Sequence, residues 1–594
     1  MADGSFDVAV IGGSFGGCAC ALAAARTGRR VVLVEQSATV GGQATSQGVT
    51  RWDEVEAQYG AVPYGSTKSY EDLKRGVRSW YGDRHLLARG IDVATFNPGW
   101  YGSPYPFSAD PAVVQEVLTD QLRAAGVEIV LRRKATGVAL NGATIASVTF
   151  DDASVVHANL FVDATDLGDL LPLCPLKWNV GEEAQNDTGE HDAPSVANAR
   201  HVQPITVPIA VERREGGSLV APTDLPADII AAQDFRWEDG DIGGVFTPRS
   251  DPKFSETIFG YRQYIDHRNF ASPEYAGDRS TINVGSNDYK SGIIPTGDAS
   301  ADGITFDNAR KVSLEYLRWL QTSVERDDDT GFGYPDLCVR TDAFPESGDG
   351  LAPQPYIRES RRIARPVIRI VERDISQPDR SVLRAPKNFT DSGGIGWYPI
   401  ADIHESPLTP ARHVDNVRNF QIPLGALIPT EITNLLAGCK NIGTTHLTTA
   451  AYRMHPIEWA VGEAAGTLAA YCVGQRVTAA AALKDPTRVT ALQTRLLQNG
   501  APIFWWSDVT VKDRALFFAA QMLGVLGYFI DPKTLTFRPN DPMTPRDRTS
   551  VERRLGRKLT WPATLKKRGE TAVWVYSKLT DEDRRRAREQ HASP

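Results

Sequence analysis

The chain predicts an α/β fold in three parts: a parallel sheet, an inserted α+β region and a small helical appendage at the end. Three observations predict it. Residues 6–42 run from apolar strand to small-residue helix to apolar strand around a glycine-rich turn. Residues from about 175 to 350 lose that periodicity and are rich in Pro, Asp and Gly. Residues 419–472 regain it, with a short apolar strand followed by another small-residue helix.

The first elements are the most specific. Phe6 to Ile11 reads as a strand, Phe15 to Arg26 as a helix that stops before Gly28, and Val31 to Val34 as a second strand ending at Glu35. Such a βαβ unit suits a dinucleotide. Gly12 permits the sharp exit from the strand. Phe15 and Gly16 open the helix, and Gly17 lets it pack closely on the sheet. Ser14 stands where G-x-G-x-x-G has its middle glycine. The helix N-terminus offers N–H groups and a positive dipole end to a pyrophosphate. Glu35, with Gln36 beside it, places a carboxylate where ribose hydroxyls bind. That acid argues against a 2′-phosphate and disfavours NADP. Gly41-Gly42-Gln43 then adds a glycine pair that NAD does not need and that fits the longer body of FAD.

Downstream, aromatic residues gather at Trp80, Tyr81, Trp100 and Tyr101, and predict a loop-rich region beside the cofactor. Asp110-Pro111 has N-cap and N1 chemistry and starts a helix that runs to about Ala125. Val127 to Leu131 reads as a strand. Asn141-Gly142 reads as a hairpin turn between Val138–Leu140 and Ile145–Phe150. His157 to Val162 leads into Asp163-Ala164-Thr165. A helical spacing marks Val312 to Arg326. Asn434 to Gly438 reads as a final strand, and a helix from about Pro456 to Tyr471 closes the unit.

Five ordered segments, VIGGSFGG, EQSATVGGQATSQGVTRWDE, LFVDATDLGDLLPL, PYIRESRRI and NLLAGCKNIGTTHLTTAAYRMHPIEWAVGEAAG, resemble the FAD-dependent oxidoreductases of the glutathione-reductase-like superfamily. That broad group also contains the succinate dehydrogenase and fumarate reductase flavoproteins. The resemblance implies a glutathione-reductase-type, Rossmann-like FAD-binding domain. It implies that Ala164, Thr165 and Asp166 return to the cofactor. It also implies that residues 446–456 lie against the isoalloxazine, and that Gly438, Asn441 and Gly443 approach the ribityl and pyrophosphate groups. Cys439 stands where many members carry an acid. The cofactor residues expected are therefore Gly12, Ser14, Phe15, Gly16, Gly17, Glu35, Gln36, Gly42, Gln43, Ala164, Thr165, Asp166, Gly438, Asn441 and His455.

A flavin does hydride chemistry itself, so the protein must hold the ring, stabilise charge on it and move a proton. Met454, His455 and Pro456 open the closing helix, whose N-terminus suits charge on a reduced ring, and Arg453 adds a cation. His404 and His446 are the acid/base candidates. Asp402 lies two residues from His404, on the same face of a strand, where it could orient the imidazole. The competing reading makes each histidine a core or surface hydrogen-bonding group. Arg358-Glu359-Ser360-Arg361-Arg362 is a charge run, ordinarily a solvated face or an ion-pair network. The resemblance also allows Arg361 or Arg362 to face the cleft. No metal-ligand spacing and no Ser-His-Asp cluster stands out.

Composition bounds the rest. The 594 residues carry a formal net charge of −8, so nucleic acid is not an expected partner. The six cysteines are scattered, without zinc spacing or a disulfide framework. The N-terminus has no apolar leader and no run of 18 apolar residues occurs, so a cytoplasmic protein without a membrane span is expected. Residues 1–174 and 353–475 are read as a discontinuous FAD-binding domain, 175–352 as the substrate domain, and 476–594 as a helical region. Within the last, residues 505–555 resemble one S-layer homology module, read as a structural appendage, and the charged tail after Leu579 is expected to fray. The function expected is hydride transfer between a small polar organic substrate and flavin N5, with oxygen, a quinone or a carrier protein as acceptor, in a possible homo-oligomer. The alternatives are an NAD-dependent dehydrogenase and a non-catalytic cell-surface binding protein.

Overall fold

The computed structural model describes residues 5–55, 65–104, 106–376, 387–399, 401–405, 409–414, 417–530 and 534–590. Strand β1 (Phe6–Ile11) is buried from Val8 onward, because it lies between two parallel neighbours. One is β2 (Val31–Val34), in register Val8 to Val31. The other is β6 (Val155–Asp163), in register Ile11 to Asp163. With β3 (Glu128–Val130), β4 (Ala135–Asn141) and β5 (Thr144–Phe150) the sheet order is β3-β2-β1-β6-β5-β4. Strand Leu435–Ala437 pairs in parallel with the last three residues of β6. Sequence-distant residues thus meet at the C-terminal edge of β1, where open α/β sheets bind ligands.

Helix α1 (Phe15–Ala25) is entirely buried. The closing helix His455–Gln475 lies across it at backbone distance. A Cβ on Gly462 would stand 1.9 Å from the Gly16 carbonyl oxygen, and one on Gly466 2.2 Å from that of Cys20. The Gly, Ala and Cys composition of both helices exists for this contact. Cys18 and Cys20 are buried in it as packing residues.

The middle of the chain builds a four-stranded antiparallel sheet from Gln263–Ile265, Arg279–Ile282, Ile209–Arg213 and Leu337–Val339, in that order. It shares a core with the long helix Ala299–Thr322, which starts well before the Val312 expected from spacing. The C-terminal region packs helices 486–498, 514–525, 545–555, 568–578 and 581–589 around Phe504, Trp505 and Phe537.

Two expectations are corrected. Trp80 and Tyr81 are not in a loop. They end helix α2 (Lys68–Asp83), capped by Thr67, whose Tyr70, Leu73, Val77 and Tyr81 form the buried stripe. In the tail after Leu579, the described residues 580–590 are ordered as a capped helix rather than frayed. Thr580 and Asp583 form a capping box for helix Asp581–Glu589, and its Ala587 and Arg588 are buried.

Candidate cofactor cradle and active site

The turn after β1 is fixed by contacts that only glycine allows. Gly12 has φ +104°, and a Cβ there would stand 2.3 Å from the backbone of Ala164 and Thr165. Ala164 N donates to Ile11 O at 2.7 Å, so Ala164 and Thr165 sit at the turn. Ser14 is the N-cap of α1, its Oγ accepting from Gly17 N at 3.1 Å. The serine therefore takes a capping role where the sequence pattern has its middle glycine. Gly42 lies against the same helix end, since a Cβ there would be 3.0 Å from Ser14 Cα and 3.1 Å from Phe15 N. The amides of Ser14 and Phe15 have no acceptor among the described residues.

Glu35 accepts from Gly13 N at 2.6 Å and from Ser37 N at 2.8 Å. Burial pushes its pKa up to about 6, against the pull of these amides. A cavity of about 30 Å³ lies over it, lined by Gly13, Gln36, Gly42 and Asp166 among others. A second cavity, of about 330 Å³, shares Gln36, Leu167, Gln354 and Pro355 with the first and adds Lys134, Phe306 and Arg361.

At the other end of the turn stands a buried charge cluster. Glu458 Oε1 accepts from Gly16 N at 2.9 Å, and its Oε2 accepts from Gln43 Nε2 at 2.7 Å and Lys440 Nζ at 3.0 Å. Lys440 also reaches Asp166 Oδ1 at 2.6 Å. Gln43 Nε2 additionally donates to Arg453 O at 3.2 Å. The Gln43 loop is thus in direct contact with the 446–456 segment, the one expected to lie against the isoalloxazine. Gly438 N and Asn441 Nδ2 both donate to Asp163 O, at 2.8 and 3.0 Å. This anchors the loop that carries Cys439, a thiol kept neutral by burial.

The candidate histidines fall in three environments. His455 is fully buried, stacked on Trp52 at 5.9 Å, and its Nδ1 accepts from Asp53 N at 3.1 Å. Burial lowers its pKa to about 3, so it is neutral and helps close the aromatic core around Phe15. His446 is buried with Nδ1 3.0 Å from Glu359. Arg362 joins Glu359 to Glu183 in the same network, at 2.5 and 2.9 Å. His404 is the accessible one, with a quarter of its side chain exposed. Its Nδ1 lies 2.8 Å from Asp288 Oδ2, and its Nε2 3.5 Å from Asp402 Oδ2. Asp288 is buried, which opposes its charge, but Arg358 at 2.9 Å and His404 outweigh burial and hold its pKa down. Arg453 donates to Tyr356 Oη at 2.7 Å and to Asp402 O at 3.3 Å, which ties the strand before His404 to the 446–456 segment.

Five residues of this site escape sequence reasoning: Asp288, Arg358, Glu359, Lys440 and Glu458. The available signal was charge inside apolar surroundings, as in Ile457-Glu458-Trp459. The Arg358–Arg362 run is not a solvated face: Arg358, Glu359, Arg361 and Arg362 are all buried. Asp166, Cys439 and Glu458 bring three potential metal-ligand atoms within 4.8 Å of one another, but the Lys440 ammonium already bridges the two carboxylates there.

The residues suit FAD at its adenosine end. A buried acid at the tip of β2 faces a cavity, and the glycines at 12, 17 and 42 leave no room for side chains beside the turn. At the diphosphate end the Ser14 and Phe15 amides suit it, while the Gly16 amide is held by Glu458. Bound FAD would lie against Glu35, Gln36, Gly42 and the first turn of α1.

No curated protein matches the chain. Among solved structures, it is similar to a thioredoxin reductase from Gloeobacter violaceus at 19% identity, over 27% of this chain and 34% of that one, with TM-score 0.15. It is similar to NikD, an unusual amino acid oxidase essential for nikkomycin biosynthesis, at 16% identity over 35% and 58%, with TM-score 0.21. It is similar to AlpK at 13% identity over 51% and 48%, with TM-score 0.23. The chain spans less than two thirds of the length of each. The family comparison is far more extensive: residues 7–496 match the model of the FAD dependent oxidoreductases, so the chain belongs to that FAD-binding family.

Proposed function

We propose that the protein is an oxidoreductase that takes hydride from a small polar organic substrate onto FAD, with His404 as acid/base. The family match supports the cofactor. The observation that carries the catalytic reading is the setting of His404, with Nδ1 on a buried carboxylate and Nε2 toward an accessible one.

Bound FAD supplies a hydride acceptor, which the side chains lack. Asp288 accepts from the Nδ1–H of His404, which leaves Nε2 as the base. When Nε2 takes the substrate proton, the imidazolium lies between Asp288 and Asp402, and both carboxylates stabilise it. Thr206 and Arg358 hold Asp288 in place. Arg453, anchored on Tyr356 and Asp402, keeps a cation beside the same strand and favours an anionic group on the substrate or the reduced ring. The electrons then leave to oxygen, a quinone or a carrier protein. No helix of the described residues is long and apolar enough to cross a membrane. A cytoplasmic location belongs to this proposal.

The test is a screen of the FAD-loaded protein for substrates that bleach the flavin without oxygen. His404→Asn should slow bleaching by about 10²-fold or more while the flavin stays bound. Unchanged bleaching in that variant would remove His404 from the mechanism.

A further inference from the structure

An anionic cofactor needs the amides at the start of α1, and one of them is already engaged by a carboxylate of the chain itself. Gly16 N donates to Glu458 Oε1 at 2.9 Å. The amide has one hydrogen, so Glu458 and a phosphate oxygen compete for it. The same carboxylate holds Lys440 Nζ at 3.0 Å and Gln43 Nε2 at 2.7 Å. All three side chains are almost completely buried: Glu458 is 1% exposed, Lys440 2% and Gln43 0%. The other end of the Gln43 amide, Oε1, is buried without a partner among the described residues, where only the carboxylate and Arg453 O hold this side chain.

The charges sharpen the conflict. Asp166 and Glu458 face one ammonium, Lys440, which leaves a surplus negative charge beside the helix end. A diphosphate entering there would add to it in a poorly hydrated place, where like charges repel strongly. The repulsion is relieved only if Glu458 withdraws. Its withdrawal frees two groups that bind phosphate well, the Gly16 amide and the Lys440 ammonium. Glu458 itself sits in the first turn of the closing helix, on a side chain long enough to change rotamer.

We propose that Glu458 is a built-in phosphate surrogate, which latches α1, the Gln43 loop and the closing helix together until FAD takes over its partners. The inference rests on the FAD reading above. Only hydrogen-bond partners are exchanged; no covalent bond or electron moves. The latch lowers FAD affinity, because binding must first break the Glu458 contacts. Lys440 is then the residue handed from carboxylate to diphosphate, and Gln43 is freed at both ends.

The experiment is titration of the flavin-free, full-length chain with FAD, read by quenching of flavin fluorescence, with thermal denaturation to confirm folding. Glu458→Gln keeps the shape and removes the charge. Glu458→Asp keeps the charge and withdraws it from Gly16, and decides the question by the same criterion if the glutamine variant does not fold. Both should bind FAD at least tenfold tighter than the wild type. Adding Lys440→Met to Glu458→Gln should weaken binding at least tenfold relative to Glu458→Gln alone. Wild-type binding with equal or weaker binding by the Glu458 variants would overturn the latch and leave the FAD reading standing. Binding by Glu458→Gln but not by the wild type would support the latch and overturn FAD loading of the native chain. Binding by none of them would overturn both.

Discussion

His404 Nδ1 and Asp288 Oδ2 lie 2.8 Å apart although 116 residues separate them in sequence. The first directly follows the short strand Ala401–Ile403, and the second opens the two-residue strand Asp288–Tyr289 of the inserted region. Their contact means that the inserted region supplies the carboxylate that orients the candidate base. Asp288→Asn should therefore lower the rate of substrate-dependent flavin reduction by about 10²-fold, with FAD affinity unchanged. Asp402→Asn, whose carboxylate is more distant and more exposed, should cost less than about tenfold. Anaerobic rapid-mixing measurements of flavin bleaching would separate the two. Equal effects would deny Asp288 its orienting part.

The Glu183–Arg362–Glu359–His446 network makes a different prediction, about acid stability. Burial opposes ionisation of Glu359, but His446 and Arg362 outweigh it and hold the folded pKa at about 2, against 4.5 for the free side chain. A carboxylate with a depressed folded pKa contributes stability above its unfolded pKa and loses it as pH falls through the folded one. The network should thus be fully stabilising above about pH 5 and fail progressively toward pH 2. Urea denaturation of Glu359→Gln should show a flatter profile in that window than the wild type. Arg362→Met should cost about 3–5 kcal/mol near neutral pH, because it strands two buried carboxylates.

The elements that sequence alone revealed are those whose evidence is local. The β1-α1-β2 unit and the Asp110-Pro111 helix start match the fold, and the hairpin expected at Asn141-Gly142 is present with its turn one residue later, at Gly142-Ala143, because cap, turn and period lie within a few residues. Helix α2 escaped because its Tyr70, Leu73, Val77 and Tyr81 stripe is interleaved with charged residues. Glu458 escaped for a deeper reason. Its partner Gly16 is 442 residues away, and nothing local distinguishes a glutamate that seals a helix end from one that points to solvent. Charges that pair across the whole fold cannot be assigned before the fold is known, and the buried Arg358–Arg362 run shows the same limit.

The contact between α1 and the closing helix should be intolerant of a single methyl group. Gly462→Ala places a Cβ 1.9 Å from the Gly16 carbonyl, with backbone on the other side that has nowhere to go. Overpacking of this kind costs about 1–3 kcal/mol, and the displaced Gly16 amide should weaken FAD binding as well. Gly303→Ala is the matching control. It lies on the long helix Ala299–Thr322 with no atom near the added Cβ, and should stabilise by about 0.5–1 kcal/mol. Chemical denaturation of both variants would test the pair.

The last helix should behave as part of the core and not as a tail. Arg588 is buried and donates to Gln493 Oε1 at 2.7 Å, to Thr490 Oγ1 at 3.1 Å and to the Thr390 carbonyl. It thereby joins the C-terminal helix to helix Pro486–Gln498 and to the segment leading into strand Ser392–Gly396. Arg588→Met keeps the aliphatic packing but strands these acceptors, so the loss should be about 2–3 kcal/mol. Arg588→Lys should recover part of it through a single ammonium contact, since lysine cannot reproduce the planar fork. A frayed tail would give no measurable change in either variant. Thermal denaturation of the two variants, with limited proteolysis of the C-terminal residues alongside, distinguishes a docked helix from a loose one. Early cleavage near Thr580 in Arg588→Met, absent from the wild type, is the result expected of the docked helix.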